Sequence, residues 1–230
     1  TIFDIIDILP RLKYVGFLAF LIVIMKHNGF EYVDLCLPSG TKWATCNVGA
    51  DSEIDCGLYF AWGETVGYSG ITDTKKFGWG DYKFSKFGSN KFIKYNGTDR
   101  KKVLDLKDDA AHIHMGGRWH MPTKEQIKEL MSNTEYTWED NYNGSGIDGI
   151  LFTSKSETSK KLFLPACGYL GNGISVYECR FGYFSSSSIF SFDDCYSTVL
   201  GFNSDVVNII KCHRSFGRTI RGVFNTFWMK

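Results

Sequence analysis

The chain has 230 residues, 43% of them hydrophobic and 16% aromatic, which is enough to bury a substantial core in one domain with a short extension. Its 26 basic and 25 acidic residues leave a net charge of +1 with no basic run, so the electrostatic footprint of a nucleic-acid-binding protein is missing. Seven cysteines form no C-x-x-C pair and no zinc-like spacing. Most are expected to be free thiols, and one or two disulfides are the alternative.

The first 29 residues form a hydrophobic extension in which residues 14–25 are apolar throughout. This stretch is shorter than the about 20 residues that span a bilayer, so no stable membrane span is predicted. Arg11 and Lys13 precede it, as in a targeting segment, but no small-residue cleavage site follows. Three interpretations stay open: a targeting segment, an ordered hydrophobic extension, or a non-native start before a folded unit that begins at Met25.

Short strands joined by glycine turns are predicted from residue 30 onward. Residues 31–50 alternate apolar and polar side chains and break at Pro38-Ser39-Gly40, which predicts a hairpin whose second strand runs through Trp43. Residues 57–65, "GLYFAWGET", indicate an aromatic strand. Residues 66–107 are polar and weakly periodic, which predicts a long loop with little regular structure.

The clearest helix start lies in residues 121–133, "MPTKEQIKELMSN". Thr123 and Gln126 have capping-box spacing, and Ile127, Leu130 and Met131 follow on one predicted face. Further strands are predicted within 143–154, 160–170 and 217–224, followed by a tail at 225–230. The tryptophans are expected in the core, because each lies in a strand-like segment: Trp43, Trp62, Trp119 and Trp138.

Six blocks occur in chain order: "YVDLCLPSGTKWATCNVGA", "YFAWGET", "DDAAHIHMGGRWHMPT", "LFLPACGYL", "GYFSSSS" and "GRTIRGVF". Together they resemble the Fibrobacter succinogenes major paralogous domain family over residues 30–224. The resemblance implies an α+β, C-type-lectin-like domain with short strands, one or two helices and long irregular loops. It also implies termini that meet in one sheet and a loop face that binds a ligand, without established chemistry.

Neither a catalytic residue nor a metal site is predicted. The serines at 185–188 are not framed as G-x-S-x-G, so their hydroxyls are expected to satisfy backbone groups. His112 and His114 would share one side of a strand and could chelate a metal there. The family pattern specifies no histidine at those positions, but it does match Asp108 and Asp109, which are expected to hold a loop or cap a short helix.

Many C-type lectins bind sugars through calcium. The motifs used there, Glu-Pro-Asn or Gln-Pro-Asp followed by Trp-Asn-Asp, are absent from the sequence. Asp193, Asp194 and Asp205 are potential oxygen ligands, but no ligand-rich loop surrounds them. We therefore predict no cofactor.

The segment 171–217 has an unusual composition. It contains no Trp, Met or Gln, and only Glu178 and Lys211 represent Glu and Lys. These five types make up about 40 of the 230 residues, so about eight would be expected in the segment where two occur. Codons ending in C encode none of these five amino acids. In some proteins of C-type-lectin fold, diversity-generating retroelements produce a set of amino acids that lacks them. The simpler explanation of the depletion is that strand-rich segments contain few Lys, Glu and Gln residues.

The sequence therefore predicts a non-enzymatic ligand-binding domain of adhesin or receptor-binding type. Its partner would be a cell-surface protein or glycan, and its location extracellular, on a cell surface or on a virion. An enzyme related to formylglycine-generating folds, and a structural module of an envelope or virion, are the alternatives. The expected ligand contacts lie within the segment 171–216: Phe181, Phe190, Phe192, Asp193, Asp194, Tyr196, Asn208, His213 and Arg214.

Overall fold

A computed structural model describes residues 25–176, 179–190 and 193–225 of the chain. Most of the regular structure in these residues is β-sheet, and they contain two α-helices, so the protein is an α+β protein with few helices. The helices are α1 (Ala110–Met115) and α2 (Lys124–Asn133). The strands are β1 (Lys26–His27), β2 (Phe30–Val33), β3 (Thr41–Asn47), β4 (Thr134–Glu139), β5 (Gly149–Ser154), β6 (Lys161–Pro165), β7 (Tyr169–Gly171), β8 (Ile174–Val176), β9 (Gly182–Ile189), β10 (Tyr196–Phe202), β11 (Val207–His213) and β12 (Arg221–Asn225).

Four antiparallel sheets organise these strands. A four-stranded sheet has the order β1-β2-β3-β12, so strands from near both ends of the described chain pair within it. Two three-stranded sheets have the orders β4-β5-β6 and β11-β10-β9, and β7 pairs with β8. The predicted hairpin is confirmed, because Val33 in β2 lies opposite Trp43 in β3.

The capping box predicted for α2 is confirmed. Thr123 Oγ1 accepts a hydrogen bond from the Gln126 amide at 3.2 Å, and the Gln126 side chain accepts from the Thr123 amide at 2.9 Å. Ile127 and Leu130 are fully buried, whereas Met131 is half-buried. Two otherwise unsatisfied backbone amides of the first turn are thereby bonded, which fixes where the helix begins.

Two predictions for the loop-rich part of the chain have different outcomes. The predicted strand at 57–65 is wrong as a regular strand, because this stretch makes only isolated bridges, at Tyr59 with Tyr68 and at Phe60 with Arg218. Its rings pack into the core instead of following a sheet edge. The predicted loop at 66–107 is confirmed, with one 3-10 turn at Trp79–Asp81 and the start of another at Leu106–Asp108.

His112 and His114 lie on α1, which corrects the strand geometry considered for them. In a helix, residues two apart point in different directions. The ring nitrogen His112 Nδ1 lies 3.1 Å from the Trp119 carbonyl, and His114 Nε2 lies 2.9 Å from the Thr65 carbonyl. Asp109 caps α1 by accepting from the His112 amide at 2.9 Å, as the short-helix interpretation predicted.

The buried side chains form two clusters, and the tryptophans divide between them. Trp62 and Trp119 lie in the first cluster, and Trp43 lies in the second with Ile127 and Leu130 of α2. Trp138 is only half-buried and packs against the edge of the second cluster. The core prediction is therefore confirmed for three tryptophans and only in part for the fourth.

One disulfide joins Cys56 to Cys167, and the other five cysteines are free. Most of the cysteines are therefore free, as expected, but the alternative of one or two disulfides also applies, because one bridge is present. Across the described ranges, no helix combines the length and apolar character that crossing a membrane requires. The apolar stretch at 14–25 lies outside the described residues except for Met25, whose carbonyl accepts from the Tyr32 amide at 3.0 Å.

Candidate functional site

The serine run of the predicted binding segment lies in β9 and is buried. Ser186 Oγ donates to the Thr198 carbonyl at 2.7 Å, which links β9 to β10. Ser188 Oγ accepts from the Lys124 amide at 3.0 Å, which links β9 to the first residue of α2. These two hydroxyls are therefore structural groups that satisfy backbone atoms, as the sequence predicted.

The sheet of β9, β10 and β11 presents two faces to different surroundings. Directly paired residues share a face, so Tyr183 and Asn208, both opposite Gly201, lie on the same side. Tyr196 and His213 are paired on the opposite side, because side chains alternate along β10. The predicted contacts therefore do not form one flat face.

A band of aromatic rings nevertheless runs continuously from one face to the other. Each ring is half-buried, so each presents part of its surface to solvent. The band, in order of contact, consists of Phe181, Tyr183, Tyr169, Phe216, His213 and Tyr196. Phe181 stacks near Tyr183 with ring centroids 6.1 Å apart, and Tyr183 meets Tyr169 edge-on at 5.3 Å.

The second half of the aromatic band reaches the end of β11. Tyr169 stacks on Phe216 with centroids 5.3 Å apart, and Phe216 lies 5.2 Å from the His213 ring. His213 in turn lies 4.6 Å from the Tyr196 ring. Lys211 Nζ lies 4.7 Å from the Tyr196 centroid, a cation–π contact that adds a positive charge at this end of the band.

Three of the predicted contacts lie in the aromatic band, namely Phe181, Tyr196 and His213. Phe190 is adjacent to it, since Lys211 Nζ lies 5.7 Å from its ring and the Phe190 amide donates to the Tyr196 carbonyl. Phe192 lies outside the described residues.

The polar predicted contacts occupy different places. Asp193 and Asp194 are half-buried in the turn before β10, where the Asp193 carboxylate accepts from the Cys195 amide at 2.9 Å. Asn208 is exposed on β11, the edge strand of its sheet, and its side-chain oxygen accepts from the Ile209 amide at 2.7 Å. These side chains therefore flank the aromatic band without belonging to it.

Sequence reasoning missed Tyr169, Tyr183 and Phe216, which connect the predicted rings. A signal for one of them was present, because Tyr183 lies two residues after Phe181 and the period of a strand places such residues on the same side. No comparable signal marks Tyr169 or Phe216, since their contact depends on how β7 approaches the turn after β11.

Arg214, predicted as a ligand contact, is fully buried beneath this region. Its Nε donates to the Tyr82 hydroxyl at 3.0 Å and its Nη1 to the Tyr95 carbonyl at 2.9 Å. Nη2 donates to the Lys94 carbonyl at 3.1 Å, and Nη1 also donates to the Asp194 carbonyl at 3.2 Å. Arg214 thus ties the turn before β10 to the long loop, and a side chain so enclosed cannot touch a ligand in this conformation.

A second buried arginine, Arg218, supports the middle of the aromatic band. Its Nη2 donates to the His213 carbonyl at 2.8 Å and its Nη1 to the Phe216 carbonyl at 3.4 Å. Burial, followed by the positive charge of Arg218, lowers the pKa of His213 below its ordinary 6.5. The imidazole is therefore neutral at pH 7 and contributes a ring without a charge.

A pocket of about 310 Å³ adjoins the Phe181 end of the aromatic band. Its other lining residues combine one indole with polar and charged groups: Trp138, Asp140, Asp148, Cys179, Arg180, Asn203 and Ser204. The indole N–H of Trp138 donates to Asp140 Oδ1 at 2.8 Å, which fixes the ring at the pocket wall. The pocket thus offers an apolar surface beside hydrogen-bonding groups, a combination that suits small-molecule or side-chain recognition.

Within residues 25–176, 179–190 and 193–225, no three or more His, Cys, Asp or Glu side chains are grouped so as to hold a metal ion. Asp193, Asp194 and Asp205, considered from the sequence as oxygen ligands, lie within these ranges. Comparison with family models, with curated proteins and with solved structures finds no match to this chain.

Proposed function

We propose that this chain is a non-enzymatic binding domain that recognises a protein or glycan on a cell surface through the aromatic band. The observation that carries the proposal is the unbroken series of half-buried rings from Phe181 to Tyr196. Rings that are partly exposed yet packed against one another supply contact area at little cost in side-chain entropy, which is how aromatic anchors act in binding surfaces.

The C-type-lectin-like fold is part of the same proposal. Pairing of the N-terminal hairpin with β12 supports it, because the sequence resemblance implies termini that meet in a sheet. The long irregular stretch at 66–107 also fits that architecture, as does the small number of α-helices, two within the described residues. A domain of this kind would act on a cell surface, on a virion or in the extracellular space.

Binding would be an equilibrium between surfaces that are already formed. The two buried arginines hold the backbone carbonyls of Asp194 and His213, so the rings near them need little reordering when a ligand arrives. Polar groups such as the exposed Asn208 and the half-buried Asp193 would adapt their hydrogen bonds to the ligand. The neutral His213 ring avoids the desolvation cost that a buried charge would add.

Diversification of the segment 171–216 is a further part of the proposal. Five of the six rings in the aromatic band come from this segment, and Tyr169 is the exception. Sequencing this gene across one natural population would test it. The proposal expects substitutions to concentrate at adenines of these codons while codons 30–170 stay constant, and an equally constant segment would contradict it.

Binding to whole bacterial cells provides the direct test. Fluorescently labelled chain should bind saturably, and pretreating the cells with protease or with glycosidases shows whether the partner is a protein or a glycan. Tyr183→Ala and Tyr196→Ala should weaken binding while leaving the circular dichroism spectrum unchanged. Phe30→Ala is the matched control, because Phe30 is a 40% exposed ring on a different sheet. Unchanged binding by both tyrosine variants would refute the proposal.

An enzyme of formylglycine-generating type is the second candidate, and one observation bears on it. Such an enzyme would need a functional cysteine pair in a cleft, and Cys56 and Cys167 do line a pocket, where they form a disulfide. Among the described residues lining that pocket there is no histidine, lysine, arginine or carboxylate to act as general acid or base. This lining favours the binding function over the enzyme. A hyper-reactive cysteine that proved essential for turnover would favour the enzyme.

A further inference from the structure

Three of the seven cysteines line one pocket. The pocket has a volume of about 540 Å³, and its lining includes both cysteines of the disulfide, Cys56 and Cys167, together with the free thiol of Cys179. Cys179 is exposed, whereas Cys167 is 1% exposed and Cys56 is half-buried. A residue with a free thiol and both residues of a disulfide therefore line the same space.

The backbone brings Cys179 alongside Cys167. The Cys179 amide donates to the Ala166 carbonyl at 2.8 Å, and the Gly168 amide donates to the Phe181 carbonyl at 2.7 Å. These two hydrogen bonds flank Cys167, so the two stretches of chain run next to each other at that residue. Chains joined by such bonds lie about 4.8 Å apart, which falls within the Cα separations of about 4.4–6.8 Å that disulfides span.

We propose that Cys179 exchanges into this disulfide, so that the chain has two alternative bridges. The Cys179 thiolate attacks the sulfur of Cys167, a Cys167–Cys179 bond forms, the Cys56–Cys167 bond breaks, and Cys56 leaves as a thiolate that takes up the proton lost by Cys179. One disulfide and five thiols are present before and after the exchange, so no external oxidant or reductant is consumed.

The exchange would connect the pocket to the Phe181 end of the aromatic band. Cys179 also lines the neighbouring pocket beside Trp138, and it precedes Phe181 by two residues. Its φ of 60° lies in the left-handed region that residues other than glycine rarely adopt. A new bond at Cys179 would re-set this local conformation and with it the position of Phe181. The proposal stands on the cysteine geometry alone and does not depend on ligand binding.

Disulfide mapping of the native chain tests the proposal. The chain is incubated without added thiol, quenched with N-ethylmaleimide at intervals, digested without reduction and analysed by mass spectrometry. We expect the peptide pair containing Cys167 and Cys179 to appear as Cys56 becomes labelled, with the number of free thiols unchanged. Recovery of the Cys56–Cys167 pair alone at all times would overturn the proposal.

Two variants extend the test. In Cys179→Ser, labelling of Cys56 under the same conditions should be lost, whereas the control Cys36→Ser, which removes another exposed thiol, should label Cys56 as the native chain does. In Cys56→Ser, Cys167 should pair with Cys179. If that last variant does not fold, the comparison of Cys179→Ser with Cys36→Ser decides, and equal labelling of Cys56 in both would refute the exchange.

Discussion

Replacing Arg214 by alanine should destabilise the protein strongly, because its guanidinium joins parts of the chain that are far apart in sequence. The side chain is 0% exposed, and it bonds the Tyr82 hydroxyl and the carbonyls of Tyr95, Lys94 and Asp194. Removing it leaves four acceptors without their donor inside the protein. The hydrogen bonds that are lost therefore weaken the long loop at 66–107 and the turn before β10 at the same time.

The magnitude follows from that count of hydrogen bonds. A hydrogen bond to a charged group contributes about 1.5 kcal/mol net, so four would contribute about 6 kcal/mol. Water entering the vacated space would satisfy some acceptors, so we expect the free energy of unfolding to fall by about 3–5 kcal/mol, as when a buried charged network is broken. Arg214→Lys should recover only part of this, because an ammonium cannot reproduce the planar fork.

Urea unfolding followed by tryptophan fluorescence measures the effect, with the m-value as a check that the unfolding transition stays comparable. Arg180→Ala is the matched control: Arg180 is an exposed arginine of the same segment, and its removal should change the free energy of unfolding by less than about 0.5 kcal/mol. A decrease below about 1 kcal/mol for Arg214→Ala would refute the assignment of Arg214 as the structural support of this region.

Three further predictions concern stability. Thr123→Ala removes the capping box of α2 and should lower the free energy of unfolding by about 1 kcal/mol in thermal melts. Gly182→Ala would place a Cβ against the ring of Phe202, so overpacking should cost about 1–3 kcal/mol in urea unfolding, and a neutral result would contradict the close packing of β9 on β10. Hydrogen bonds from Lys101, and then from a second lysine, lower the pKa of Asp105 from 3.8 to about 2. Because this folded-state pKa lies below the unfolded value, the contribution of Asp105 should be complete above about pH 4 and should disappear as pH falls toward about 2. The unfolding midpoint of Asp105→Asn should depend less on pH in that range.

Local patterns in the sequence predicted those elements whose cause is local. The hairpin through Trp43 follows from alternation around a turn, and the start of α2 follows from the spacing of Thr123 and Gln126. The stretch at 57–65 has the composition of a strand but no continuous partner, because Phe60 reaches across to Arg218 at a single bridge. Composition alone cannot distinguish a regular strand from isolated bridges, since a strand forms only where a neighbouring strand pairs with it.

The site was harder to predict because its rings meet through long-range packing. Phe181 and Tyr196 could be proposed from the character of their segment, but Phe216 joins them only because β7 brings Tyr169 beside it. For Arg214 the sequence-based prediction failed in the opposite way, because it assigned a ligand contact to a residue that is buried. An arginine in a loop-like sequence suggests an exposed anchor, and the fold instead encloses it among backbone carbonyls. Burial of a charged side chain depends on partners distant in sequence, which no local pattern reports.

Hydroxyl-radical footprinting of the chain, alone and bound to whole bacterial cells, tests most directly whether the aromatic band is the contact surface. Oxidation of Tyr183, Tyr196 and Phe216 should fall on binding, while oxidation of Phe30 should stay constant, because Phe30 lies on β2 in a different sheet. Protection confined to residues outside the aromatic band, with these three rings oxidised as in the free chain, would contradict the account.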